Sequence, residues 1–249
     1  MVDLKAHADR LRALHTEEML VLPNVWDAAS ASVVAEAGFP VIATASAAVS
    51  AMLGYPDGEG APWREMFAAA GRIARAVQLP VTVDAEAGYG LRPRELVDRL
   101  LELGAVGCNL EDTDHRSGGL SDATAQSDWL SSVRSAADDA GVPIVINARI
   151  DVFLPANGIP EPDRLSEAIR RGRLYRAAGA DCLYPIGVRD KEVLASLVSE
   201  LPGPVNGNSG GALDLGTLRD LGVARVSYGP SFYRAAMAEL KVAVEKLRS

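Results

Sequence analysis

A recurrence limits what this chain can fold into. Five glycines, Gly38, Gly104, Gly141, Gly179 and Gly222, each close a stretch with helical spacing. A short apolar run follows each of them within a few residues. Glycine just past a helix takes the left-handed conformation that other residues avoid. A short apolar run bounded by turn residues reads as a strand buried on both faces, the pattern of a parallel sheet. Helix, glycine, strand, repeated, predicts βα units laid side by side. Helices are expected at 27–37, 63–77, 94–103, 126–140, 165–178, 191–201, 215–221 and 231–247. Strands are expected at 19–22, 41–44, 81–84, 106–110, 144–148, 182–184, from Val205 onward, and at 225–228. Eight units in 249 residues predict a (β/α)8 TIM barrel, a single domain over 1–249, with an extra N-terminal helix at 3–15. The rival is an open doubly wound sheet, which carries a glycine-rich phosphate loop after its first strand. Here that position reads Leu22-Pro23-Asn24-Val25-Trp26, so the barrel ranks first.

Composition narrows the partners. A net charge of −8 argues against a nucleic-acid or anionic-membrane surface. No apolar run approaches the roughly 20 residues of a membrane span. The first ten residues lack the apolar core of a signal peptide. A cytoplasmic protein is expected. Cys108 and Cys182 lie in short apolar segments without flanking cations, so both are expected as buried, reduced thiols.

In a barrel, function gathers where strands run into the following helices. The segment Val81 to Gly90, V-T-V-D-A-E-A-G-Y-G, is the most informative such place. Asp84 and Glu86 are two apart and project to one side of an extended chain. Alone, Asp-x-Glu reads as a solvated acidic loop. The other strand ends change that reading. They offer Asn24 and Asp27; Thr44 to Ala47, with Asp57 a loop beyond; Glu111, Asp112 and Asp114; Asn147, Arg149 and Asp151; Asn206 and Asn208; and Ser227 and Tyr228. Carboxylates scattered in sequence converge at one mouth, facing one arginine. A hard divalent cation such as Mg²⁺, which takes oxygen ligands, would relieve their repulsion. Such an ion works as a Lewis acid on the carbonyl of a chelated 2-oxo acid. Arg149 can grip a carboxylate with two parallel hydrogen bonds. It can equally form a structural ion pair with Asp151 or Glu111. The backbone N–H groups of Ala45, Ser46 and Ala47, with the Ser46 hydroxyl, could take a second anionic group.

At these residues the chain resembles the isocitrate lyase and phosphoenolpyruvate mutase superfamily over essentially its whole length. The resemblance rests on L-P-N-V-W-D-A-A-S-A at 22–31, A-S-A-A-V-S-A-M-L-G-Y-P-D at 45–57 and V-D-A-E-A-G-Y-G at 83–90. N-L-E-D at 109–112, N-A-R-I-D at 147–151 and P-V-N at 204–206 complete it. It implies a (β/α)8 barrel, Mg²⁺ with Mn²⁺ as a substitute, and 2-oxo or dicarboxylic acid substrates. It implies Asp84, Glu86 and Glu111 about the metal, and Asp57 and Glu111 acting beside Arg149 in catalysis. Substrate contacts would come from Ala45, Ser46, Ala47, Asp84, Arg149 and Asn206. It also implies a homodimer or homotetramer whose last helix is exchanged between subunits. That helix carries Phe232, Ala235, Ala236, Leu240, Val244 and Leu247, a wide apolar stripe.

Two departures stand out. Family lyases carry a K-K-C-G-H type motif after the fourth strand, and the mutases a loop lysine and asparagine. Here the loop reads E-D-T-D-H-R-S-G-G-L, where His115 and Arg116 are the remaining candidates for proton transfer. The usual serine at 45 is alanine, with serine one residue later. The expected function is a Mg²⁺-dependent lyase cleaving or decarboxylating a 2-oxo or 2-hydroxy di- or tricarboxylate through an enolate. A phosphoenolpyruvate or phosphonate mutase or hydrolase is the alternative, and a non-catalytic 2-oxo acid binder a third.

Overall fold

A computed structural model of the chain describes residues 3–210 and 213–248. Its strands are β1 (Leu20–Leu22), β2 (Asn24–Val25), β3 (Ile42–Thr44), β4 (Val81–Asp84), β5 (Gly107–Leu110), β6 (Val145–Arg149), β7 (Cys182–Tyr184), β8 (Asn206–Asn208) and β9 (Arg225–Ser227). All pair in parallel, in the ladders β2-β3-β4-β5-β6-β7 and β1-β9-β8. The ladders meet at both ends. β1 and β2 are one strand interrupted at Pro23, which has no N–H to give a ladder. Leu183 pairs with Val205, and its N–H donates to the Pro204 carbonyl at 3.0 Å, joining β7 to β8. The result is an eight-stranded ring. Asn24 seals the Pro23 seam: its Nδ2 donates to the Thr44 carbonyl, and its Oδ1 accepts from the N–H groups of Tyr228 and Gly229.

The outer layer is α2 (Ala28–Glu36), α4 (Trp63–Ala76), α5 (Pro93–Leu103), α6 (Ala123–Asp139), α7 (Glu161–Ala177), α8 (Lys191–Glu200), α9 (Leu215–Asp220) and α10 (Ser231–Glu245). The five stop glycines all have φ between 73° and 97°, as their helix-ending role requires. α6 starts three residues ahead of the predicted helix, where the Asp122 carboxylate caps the Thr124 and Ala125 N–H groups. α7 starts four ahead, with Pro162 in its first turn. One helix is additional: α3 (Ser46–Leu53) follows β3 directly and ends on Gly54 at φ 87°. Its N-cap, Ala45, makes no side-chain cap, so the sequence carries no start signal there. Segment 45–47 is therefore the N-terminus of a helix, an end that favours anionic groups.

α1 (Leu4–Leu14) closes the bottom of the barrel. Ala8, Leu11 and Leu14 pack with Leu20, Leu22, Val41, Ala43, Val106 and Val145. The plug fits because β5 begins with glycine: a Cβ on Gly107 would lie 2.7 Å from Leu11 Cδ2. Cys108 and Cys182 are buried and unpaired, and burial pushes both thiols up to about 12. No described helix is long and apolar enough to cross a membrane.

The plug makes a coupling testable. Gly107→Ala should cost about 1–3 kcal/mol by overpacking, and Leu11→Ala about 2–5 kcal/mol by cavity formation. The added methyl occupies the space the leucine vacates, so the double variant should lose less than the sum. Urea denaturation of the four proteins reads this; strict additivity would place α1 elsewhere.

Candidate active site

The carboxylates stand at the C-terminal mouth of the ring. Asp84 ends β4, and Glu86 follows in a turn where Glu86 and Tyr89 have φ of 49° and 56°. Glu59, on the loop after α3, has φ 58°. These are the non-glycine residues with positive φ among those described, and all of them lie at the mouth. Such conformations persist only where the surroundings impose them. The imposing contacts are visible. The Glu59 N–H donates to Glu86 Oε2, the Tyr89 hydroxyl to Glu86 Oε1 at 2.5 Å, and the Tyr89 N–H to Glu59 Oε1 at 2.5 Å. Gly88, at φ 88°, has no room for a Cβ, which would meet the Trp129 ring at 2.8 Å.

Asp84 is held differently. Its Oδ2 accepts from the Ser46 N–H and hydroxyl at 3.1 and 2.9 Å, while its Oδ1 is buried without a hydrogen-bond partner. Glu111 follows β5, registered by its N–H to the Glu86 carbonyl at 2.9 Å. His115 Nε2 contacts Glu111 Oε1, and Arg149 Nη1 contacts Glu111 Oε2. Burial raises the carboxyl of Glu86 to about 7. Burial also raises Glu111 despite the adjacent Arg149 charge, and it raises Asp57, with the Asp84 charge adding to it. In all three, loss of solvent is the main cause, with neighbouring carboxylates adding to it.

Arg149 is positioned by a buried chain of bonds. Its Nε and Nη2 grip both oxygens of Asp151 at 3.1 and 2.7 Å. The Asp151 N–H donates to Asp112 Oδ1 at 2.8 Å, and Asp112 Oδ2 accepts from Arg171 Nη1 and the Tyr175 hydroxyl of α7 at 2.9 and 2.6 Å. The two-pronged edge of Arg149 therefore belongs to Asp151, because the two residues project from one turn. Nη1 alone faces the cluster, 4.0 Å from Asp84 Oδ1. Ser46 gives its N–H and hydroxyl to Asp84. Asn206 is fully buried; its Oδ1 accepts from Asn147 and Ser227, and its Nδ2 donates to the Gly207 carbonyl. Arg116 is exposed. Below lies Arg225, 1% exposed, whose Nη2 donates to Asn109 Oδ1 while Nε and Nη1 have no partner among the described residues.

Glu59 and Tyr89 carried no signal in the sequence, since only folded loops bring them to Glu86. His115 was legible as a loop candidate, and the structure brings it to Glu111 and Glu86: ligand atoms of these three residues lie within 4.8 Å of one another. Two buried carboxylates and an imidazole form a donor set that fits a divalent cation. Asp84 is not among these mutually close residues; its partnerless Oδ1 is a separate buried acceptor at the same mouth. A cavity of about 300 Å³ opens beside it, lined by Glu59, Thr113, His115, Arg116 and Trp129 among others.

Comparison with known proteins gives the family. The phosphoenolpyruvate phosphomutase family model matches residues 11–248. Oxaloacetate decarboxylase of Bradyrhizobium sp. (strain BTAi1) is 30% identical over 208 residues, 81% of this chain and 70% of that protein. A candidate phosphonomutase from Burkholderia cenocepacia J2315 superposes with TM-score 0.89 at 42% identity, covering 96% of this chain and 99% of that one. The structure of oxaloacetate acetylhydrolase in complex with the product oxalate superposes with TM-score 0.87 at 25% identity, covering 99% and 88%. A parallel eight-stranded ring with a carboxylate-lined mouth, matched along nearly its whole length, belongs to the phosphoenolpyruvate phosphomutase family, and the chain is an enzyme of the PEP mutase/isocitrate lyase superfamily.

Proposed function

We propose that the protein is a metal-dependent lyase that breaks a C–C bond in a 2-oxo or 2-hydroxy di- or tricarboxylic acid, with decarboxylation of oxaloacetate as its simplest form. The observation that carries this reading is the buried cluster of Glu86, Glu111 and His115 with the partnerless Oδ1 of Asp84 at the same mouth, where Arg149 Nη1 contacts Glu111 and lies 4.0 Å from Asp84. Asp84, Glu86 and Glu111 would hold the ion, Mg²⁺ by family resemblance with Mn²⁺ as its substitute, and Asp57 would lie beside them. When bound, such an ion supplies Lewis acidity to a carbonyl. The chain's own residues do the rest. Arg149 Nη1, which contacts Glu111 Oε2, has a second N–H with which to take a substrate carboxylate through one charge-assisted bond. Asp151 holds the guanidinium rigid, so little side-chain freedom is lost on binding. The Ser46 N–H and hydroxyl fix Asp84, which leaves Oδ1 as its ligand atom. Asn206 acts from below, keeping Asn147 and Ser227 in place. The loop after β5 has neither cysteine nor lysine, and decarboxylation tolerates that best, because solvent can deliver the final proton. Names borne by relatives, oxaloacetate decarboxylase and oxaloacetate acetylhydrolase, support oxaloacetate-like substrates.

The 42% identity to a candidate phosphonomutase favours a second reading, phosphoryl chemistry on a phosphonate. Phosphorus NMR with phosphonopyruvate separates the two: a new phosphorus resonance selects the second reading, an unchanged spectrum the first.

We further infer a homodimer or homotetramer built through α10. No described residue of α10 is buried, and Phe232, Met237, Leu240, Val242 and Val244 are 40–54% exposed. Apolar area of this kind on a helix is covered in an assembly.

Three outcomes are expected. Purified protein should release pyruvate and CO₂ from oxaloacetate, stop with EDTA and resume with added divalent metal; metal-independent turnover across a panel of 2-oxo acids would reject the reading. Asp84→Asn should weaken metal binding by about 100-fold or more. Its metal-free Tm should stay level or rise, because like-charge repulsion is relieved; calorimetry and thermal melts read both, and unchanged metal affinity would move the ion away from Asp84. Leu240→Arg with Val244→Glu should yield monomers in sedimentation, whereas an unchanged assembly would place the contact elsewhere.

A further inference from the structure

We propose that His115 is itself a metal ligand, so that this centre takes a first-row transition ion of the Mn²⁺ to Zn²⁺ class in preference to Mg²⁺. The proposal rests on the metal-dependent reading above and deepens it.

Oxygen-only sites suit Mg²⁺, whereas an imidazole nitrogen raises affinity for first-row transition ions, least for Mn²⁺ and more for Fe²⁺, Co²⁺ and Zn²⁺. Here the imidazole sits within the donor cluster. His115 Nε2 and carboxylate oxygens of Glu86 and Glu111 all lie within 4.8 Å of one another. Both glutamates are nearly sealed, 2% and 3% exposed. Asp84 Oδ1, buried and partnerless, provides a further acceptor at the same mouth.

The loop holds His115 in this position. Asp114 folds the chain back: its carboxylate accepts from the Arg116 and Ser117 N–H groups and the Ser117 hydroxyl. The Asp114 N–H donates to the Gly119 carbonyl, and the Asp114 carbonyl accepts from the Gly118 N–H. This knot keeps Arg116 and Ser117 outside while His115 reaches Glu111. The ring leans on Gly58, where a Cβ would approach Nδ1 to 3.2 Å and Cε1 to 3.3 Å. Gly58, at φ 78°, thus serves both the turn beside Asp57 and the seat of the imidazole. An ion entering between Glu111 and His115 exchanges one N–H···O contact for two ligand bonds. One histidine, two glutamates and Asp84 would still leave positions of a six-coordinate ion open for a chelating substrate, as catalytic sites require.

The test uses the whole protein stripped with EDTA. Calorimetry with MnCl₂ and with MgCl₂ compares wild type with His115→Ala. Loss of the ligand should weaken Mn²⁺ binding by about 10-fold or more and Mg²⁺ binding by less than about 3-fold, on the scale at which changes around metal sites act. Pulsed EPR of the Mn²⁺-loaded wild type should show ¹⁴N coupling that His115→Ala abolishes. This measurement needs no variant to establish nitrogen at the metal. Mn²⁺ bound without ¹⁴N coupling, or Mn²⁺ and Mg²⁺ weakened equally by the substitution, overturns the proposal and leaves metal dependence standing. Failure of wild type to bind either ion overturns both.

Discussion

The active end of this barrel depends on one carboxylate that no substrate meets. Asp112 is fully buried and accepts from Arg171, Tyr175 and the Asp151 N–H. A carboxylate in that setting is costly unless every acceptor site is used. Burial and the neighbouring Asp151 charge both raise its pKa, so the guanidinium and phenol of α7 are needed to keep it in place. Satisfying Asp112 docks α7 on the mouth and fixes where the chain turns after β6. That turn sets Asp151, and Asp151 sets Arg149. The one guanidinium nitrogen that faces the mouth, where it meets Glu111, is thus the end point of a structural network anchored in the outer helix layer.

The same division appears on the other side of the mouth. Three non-glycine residues sit in the left-handed region, and their side chains and N–H groups bond to one another across two loops. Neither loop would hold its shape alone. Trp129 of α6 closes over Gly88 from outside. Carboxylates that repel one another are therefore held together by backbone geometry and an aromatic lid. That arrangement preserves a cation-shaped demand instead of letting the side chains swing into solvent.

Much of this was legible in the sequence. Glycine-punctuated periodicity placed the strands within a residue or two, because helix ends and buried strands leave local marks. Asp84, Glu86, Glu111 and Arg149 were legible because strand ends of a barrel share one face. What escaped depends on distance. Nothing local announces that Asp151 occupies the fork of Arg149, that Ser46 serves Asp84, or that Asn206 bonds within the barrel. Each is a competition among polar partners decided only after folding. α3 escaped because its first residue lacks a capping side chain. Glu59 and Tyr89 escaped because positive φ in a non-glycine residue is imposed by its surroundings.

The burial of the arginines has a kinetic side. The chain carries net charge −8, so its overall charge gives an anion of the proposed substrate class no long-range attraction. Arg149 and Arg225, which would attract it, are 8% and 1% exposed and project little field beyond the mouth. Added salt screens the outer charges over a Debye length of about 10 Å at 0.1 M but leaves the sealed charges almost untouched. Capture of an anionic substrate of the proposed class would therefore rest on contacts made inside the mouth, not on long-range attraction by these two sealed arginines.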